Sequence, residues 1–119
     1  MGLYNFKERF VEKIRAGTKR QTIRAVRRHA DRAGSTLYLY VGLRTKEARA
    51  IGRWVCTSVS SIRITGEGEV FVDENRLGED EREALAREDG FESFAEMLAF
   101  WREPINRLPF AGHLIRWGE

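Results

Sequence analysis

Cysteine is nearly absent: Cys56 is the only one in 119 residues. A lone thiol excludes an internal disulfide and a multi-cysteine zinc site. Its neighbours are apolar and β-branched, so a small buried hydrophobe is expected. Histidine is scarce as well. His29 and His113 lie far apart, and neither has a second ligand at helical or finger spacing, so no metal site is expected. No apolar run approaches the roughly 18 residues of a membrane span, and the N-terminal stretch has no signal-peptide h-region. A soluble cytoplasmic protein without a membrane partner, monomeric by default, is the expectation. Nucleotide-fold fingerprints are missing. There is no Gly-x-Gly-x-x-Gly after a strand and no Gly-Lys-Ser/Thr phosphate loop, and Gly66-x-Gly68 reads as a turn. No cofactor is expected. There are no repeats, no linkers and no βαβ alternation, which argues against a doubly wound parallel sheet.

What is present suffices for one core. Hydrophobic residues make up 42% and aromatics 11%, so the chain reads as one folded domain over residues 1–119. The net charge of +3 hides an asymmetry. Residues 1–53 carry fourteen Lys or Arg against four acids, whereas residues 54–119 carry seven Arg against fourteen acids. One basic and one acidic face are expected. The basic face is a candidate phosphate-contact surface. Segregation along the chain is also compatible with charges that mix in space.

Phe6, Phe10, Val11 and Ile14 recur at helical spacing. With Asn5 as cap, Glu8 three residues on, and Gly17 as the positive-φ stop, they predict a helix over 6–16. Lys19 to Ala25 reads as a short strand and 26–34 as a polar, arginine-rich loop. Leu37 to Val41 is the clearest strand. Its unbroken apolar character predicts burial on both faces or a place in a small closed barrel. Thr45 to Arg49 reads as a loop or helical turn. Ile51 to Thr65 fits two strands or one bent strand. Gly66 to Gly68 turns it into Val70–Val72 as a hairpin, which Asp73-Glu74-Asn75 ends. Helices are predicted over 79–87 and 93–102, the latter with Ser93 and Glu96 as a capping box and Pro104 as its stop. His113 to Trp117 is the last strand. The fold class is α+β: a small, mainly antiparallel β-barrel of about five or six strands decorated by three helices.

The densest chemistry lies between Arg15 and Arg28, with six basic residues and no acid. The Gly17 turn delivers Lys19 to a strand on which Thr22 and Arg24 share one face and Gln21 and Ile23 the other. Lys19 precedes the alternation, so its ammonium can curl towards the Thr22 hydroxyl. A lysine among cations and apolar walls has a lowered pKa and can act as a base. Threonine needs such a base to become a nucleophile. The third member of such a site would be a carboxylate. Glu88 is a candidate, although spacing does not single it out. A solvated turn is the plain alternative for Lys19 and Arg20, and a strand former for Thr22. Arg24, between Ile23 and Ala25, needs a partner, either a carboxylate of the chain or a ligand phosphate. Arg20, Arg27, Arg28, Arg32, Arg44, Arg49 and Arg53 are available for phosphates, and Tyr38 or Tyr40 for stacking on bases.

Phe6 to Ile14, followed by Gly17-Thr18-Lys19-Arg20-Gln21-Thr22-Ile23-Arg24, resembles the ASCH domain family, a group of PUA-like β-barrels. The family's motif is G-x-K-x-x-[E/T]-x-R at the end of the first helix. Gly34 to Tyr40, Asp89 to Met97 and His113 to Trp117 extend the likeness over nearly the whole chain. The resemblance implies a PUA-like barrel and a partner that is RNA or a nucleoside. The threonine is similar to that of a bacterial branch that hydrolyses the acyl amide of N4-acetylcytidine without a metal. There the resemblance implies Lys19 as base, Thr22 as nucleophile and Glu88 as the assisting carboxylate, with Asp89 and Glu92 close by. Other members are similar to metal-dependent ribonucleases, to which Lys46 and Tyr40 would correspond. The insert Gly42 to Arg53 and the basic 25–33 loop depart from the amidohydrolase branch and favour a polyanionic partner. Three functions are therefore expected as alternatives: amidohydrolase, non-catalytic RNA-binding module and ribonuclease.

Overall fold

The computed structural model of the chain describes residues 2–118. The chain begins with strand β1 (Gly2–Phe6), where the periodicity predicted the run-in to a helix. Tyr4 and Phe6 point inward and Leu3 and Asn5 outward, a period of two that overlaps the helical period at Phe6. Pairing with a neighbouring strand decides between them. Asn5 is thus a strand residue and not a helix cap, and its Oδ1 accepts the Leu43 amide at 2.9 Å. A single 3₁₀ turn (Glu8–Phe10) leads into α1 (Val11–Ala16). Gly17 ends α1 at φ 81°, as expected.

Three strands follow: β2 (Gln21–Arg24), β3 (Thr36–Val41) and β4 (Arg49–Ile64). β4 is one bent strand of 16 residues, with a register shift between Cys56 and Ser58. Its first part pairs with β3, and its second part pairs with β5 (Val70–Val72) and β7 (Phe110–Trp117). β5 turns through Asp73 and Glu74, both at positive φ, into the two-residue β6 (Asn75–Arg76). This two-residue hairpin has the backbone signs of a type I′ turn. Between β6 and β7 lie α2 (Glu79–Glu88) and α3 (Phe94–Trp101). Ser93 Oγ accepts the Glu96 amide at 3.1 Å, while Glu96 Oε1 accepts from the Glu92 amide and not from that of Ser93.

The result is an α+β fold with a mixed sheet of seven strands and three α-helices among the described residues. The pairings run β1-β3-β4-β5-β6, with β7 paired to both β4 and β2. Only β1 with β3 is parallel. None of these pairings closes a ring. Tyr4, Leu37, Leu39, Met97 and Leu114 have no exposed surface, and Cys56 is buried beside them. Leu37 and Leu39 face this core, whereas Tyr38 and Tyr40 stay half-buried on the other face of β3. The expectation of burial on both faces is therefore corrected. A tyrosine covers apolar surface with its ring and keeps its hydroxyl near water. Among the described residues no helix is long and apolar enough to cross a membrane.

Candidate functional site

After Gly17 the amides of Thr18 and Lys19 both donate to the Lys13 carbonyl at 3.0 Å. This turn passes the chain under the end of α2, where the Arg20 amide donates to the Glu88 carbonyl at 3.3 Å. Lys19 is thereby carried inside, at 2% exposure. Its Nζ donates to the Gln21 carbonyl at 2.8 Å and to the Asp89 carbonyl at 2.6 Å. The Asp89 carboxylate lies 3.6 Å away and also accepts from Gln21 Nε2 at 3.1 Å. Phe10 and Phe6 complete the surroundings, with ring centroids 4.9 Å and 5.4 Å from Nζ. Gly90 permits this approach. Its φ is +100°, and a Cβ there would sit 2.8 Å from Phe10 and 2.9 Å from the Lys19 side chain.

Burial dominates the electrostatics of this pair. It lowers the Lys19 pKa, against the attraction of Asp89 and with the repulsion of Arg24. It raises that of Asp89, against Lys19 and the Gln21 hydrogen bond. On β2, Arg24 Nε donates to Thr22 Oγ1 at 2.9 Å and Nη2 donates to the Asn5 carbonyl at 2.6 Å. Thr22 and Arg24 therefore share a face, as the strand period predicted. The guanidinium carbon is 4.8 Å from the Phe6 ring centroid. Burial, and then the charge of Arg27, push Arg24 down to about 10, so it remains a cation at neutral pH.

These groups converge on a cleft of about 270 Å³, near the lower end of the range for ligand sites. Its walls are aromatic: Phe6, Phe10, Phe91, Phe100 and Trp101. Phe91 meets Phe10 edge-on at 5.6 Å and lies tilted against Phe100 at 5.4 Å. The polar lining includes Lys19, Thr22, Arg24 and Asp89, with Asn5, Lys7 and Asn106 also present. The Trp101 Nε1–H is buried and has no acceptor among the described residues. A larger, more open groove of about 460 Å³ runs over Tyr38, Arg53 and Trp54. No buried ionisable group lines it, so the chemistry points to the smaller cleft. Among the described residues no three of His, Cys, Asp or Glu gather as metal ligands.

Of the residues singled out in the sequence, Lys19, Thr22 and Arg24 meet in this cleft. Glu88 does not. It is exposed, 3.7 Å from Arg116, and lines a separate small groove with Leu77 and Leu85. Successive residues at a helix end are about 100° apart around the axis, and it is Asp89 that turns inward. Arg20 is exposed against Gly118. Arg27 stacks on the Tyr4 ring at 3.8 Å, while Arg28 is exposed in the following loop. Arg44 and Lys46 are exposed between β3 and β4, in a loop tied to the cleft through the Leu43–Asn5 bond. Tyr40 pairs with Asn5 in register but does not line the cleft. Sequence reading missed the aromatic walls, which have the spacing of an ordinary core. The sequence put Glu88 first and Asp89 only close by, whereas Asp89 is the carboxylate that lines the cleft. No family model, curated protein or solved structure matches the chain, so the site is read from its own geometry.

Proposed function

We propose that the chain is an ASCH-like, PUA-like protein whose cleft takes a nucleobase, from RNA or a nucleoside, and hydrolyses the acyl amide of N4-acetylcytidine. The observation that carries this reading is the convergence of buried Lys19, Thr22 and a carboxylate in one aromatic-walled cleft. The match of Gly17 to Arg24 to the ASCH motif supports it from the sequence side. Planar walls suit a planar base.

A neutral Lys19 amine would keep two N–H bonds to the Gln21 and Asp89 carbonyls and have its lone pair free as a base. Thr22 Oγ accepts from Arg24, which leaves its own proton to give away and stabilises the developing alkoxide. In this scheme Oγ bonds to the acetyl carbon, its proton passes to Lys19, and the carbon–N4 bond breaks. N4 takes the proton from Lys19 and cytidine leaves. Water then hydrolyses the threonine ester to acetate and restores the hydroxyl. Asp89, in place of Glu88, holds Lys19 and balances its charge. Lys19→Met is expected to lower cytidine and acetate release by at least about a hundredfold. A parent protein that releases neither product would sink the proposal.

The exposed Arg28, Arg44 and Lys46, none with an ion-pair partner among the described residues, favour a second reading as a non-catalytic RNA-binding module. It is distinguished by RNA binding without turnover. No observation favours the ribonuclease reading, whose Lys46 and Tyr40 lie outside the cleft lining.

A further inference from the structure

Two guanidinium groups lie against one buried ring. Tyr4 has no exposed surface, and its hydroxyl donates to buried Asp31 at 2.6 Å. Its ring carries Arg27 at 3.8 Å and Arg24 at 5.4 Å from the centroid. Arg24 is also tied to Thr22 and Asn5 by neutral acceptors. Arg9, Lys13, Lys19 and Arg49, from the same half of the chain, each have a carboxylate within ion-pair distance. Neither Arg24 nor Arg27 has one among the described residues. The two like charges repel each other, and at Arg24 the attraction of Asp89 only partly offsets the repulsion of Arg27, so an anion placed between them is favoured. Arg24 leaves Nη1 uncommitted, and the planar forks of two arginines match the oxygens of a phosphate. Because Arg24 lines the cleft, such an anion would sit at the cleft rim.

We propose that Arg24 and Arg27 form a phosphate seat, so that the ligand of the cleft is a phosphorylated nucleotide and not the free nucleoside. The phosphate is either that of a mononucleotide or one in an RNA backbone. This rests on the reading of the cleft as a nucleobase site, but not on catalysis.

The test is calorimetric binding of cytidine, cytidine 5′-monophosphate, cytidine 3′-monophosphate and an RNA trinucleotide with a central cytidine. Parent, Arg27→Gln and Arg63→Gln proteins are compared at low and high salt. Arg63 serves as a remote control, paired with Glu74 and stacked on Phe71. Phosphorylated ligands are expected to bind the parent at least about tenfold more tightly than cytidine, the gain of one charge-assisted contact. That ratio is expected to shrink in high salt, to fall to about one in Arg27→Gln, and to persist in Arg63→Gln. A full gain with a monophosphate assigns the seat to a terminal phosphate, and a gain only with the trinucleotide assigns it to the RNA backbone. Equal affinity for all four ligands, no binding of any, or a gain that survives in Arg27→Gln would overturn the proposal. A phosphate gain without acetyl hydrolysis leaves the seat standing and removes only the hydrolase reading. Hydrolysis without the gain removes only the seat.

Discussion

Lys19 and Asp89 neutralise each other in a space where they are 2% and 6% exposed. Removing one leaves the other charged and buried, which typically costs about 3–5 kcal/mol. Lys19→Met and Asp89→Asn are each expected to lose on the order of 3 kcal/mol in urea unfolding, and the double variant less than their sum. Strict additivity would contradict the pairing. Burial lowers the Lys19 pKa from the ordinary 10.5, and in the proposed reaction Lys19 must be neutral to act as base. The rate of acetyl hydrolysis should therefore rise with pH to a midpoint below 10.5, and this limb should vanish in Lys19→Met. Tyr4 has the opposite alkaline effect on stability. Burial, and then its bond to Asp31, raise its pKa, so the folded chain keeps a proton that the unfolded chain releases near the ordinary 10.0. Its contribution is full below that pH and is lost as pH rises above it. Tyr4→Phe should be less stable at neutral pH by about 2 kcal/mol, the order of a buried bond to a carboxylate, but should lose less stability between pH 10 and 12. Circular dichroism across that range checks the sign. At this scale Lys19, Thr22 and Arg24 were legible from the glycine turn and the strand phase. Asp89 was not, because one step around a helix end is decided by how α2 packs over β2.

The elements hold the site through close approach. Gly90 follows α2 at positive φ, with its α-carbon against Phe10 and Lys19. Gly90→Ala would meet both the backbone strain and the contact. A loss of about 2 kcal/mol is expected in urea unfolding, the strain alone being worth roughly 1–2, together with weaker cytidine binding as Lys19 is displaced. A variant as stable as the parent would show that the approach is looser than described. The predicted helices at 79–87 and 93–102 appear within a residue or two, because an acidic, alanine-containing run marks the first and the Ser93 cap with an apolar stripe marks the second. β1 was not legible. Its alternation is only five residues long, and its partner β3 lies more than thirty residues away, so a long-range pairing overrode a local helical reading. The bend in β4 was one of two options, and β3 and β7 together settle it by sharing opposite ends of one strand.

For the molecule as a whole, the charge asymmetry was legible but its arrangement was not. Arg9, Lys13 and Lys19 pair with Glu96, Glu92 and Asp89, so part of the basic half is neutralised by α3 and the segment that joins it to α2. Arg24 and Arg27 have no ion-pair partner among the described residues, and Arg28, Arg44 and Lys46 are exposed. With about four phosphate contacts, the log affinity for a short single-stranded RNA should fall with log salt at a slope of roughly −3. A flat dependence would contradict a basic rim. The proposed covalent chemistry at Thr22 is tested by trapping the acyl group. The protein is mixed with N4-acetylcytidine isotopically labelled in the acetyl group, quenched, and mapped by peptide mass spectrometry alongside the Thr22→Val variant. Labelled acetyl is expected on Thr22 of the parent before acetate is released, with neither label nor turnover in Thr22→Val. Turnover by Thr22→Val at the parent's rate, with no label on the parent, would contradict it.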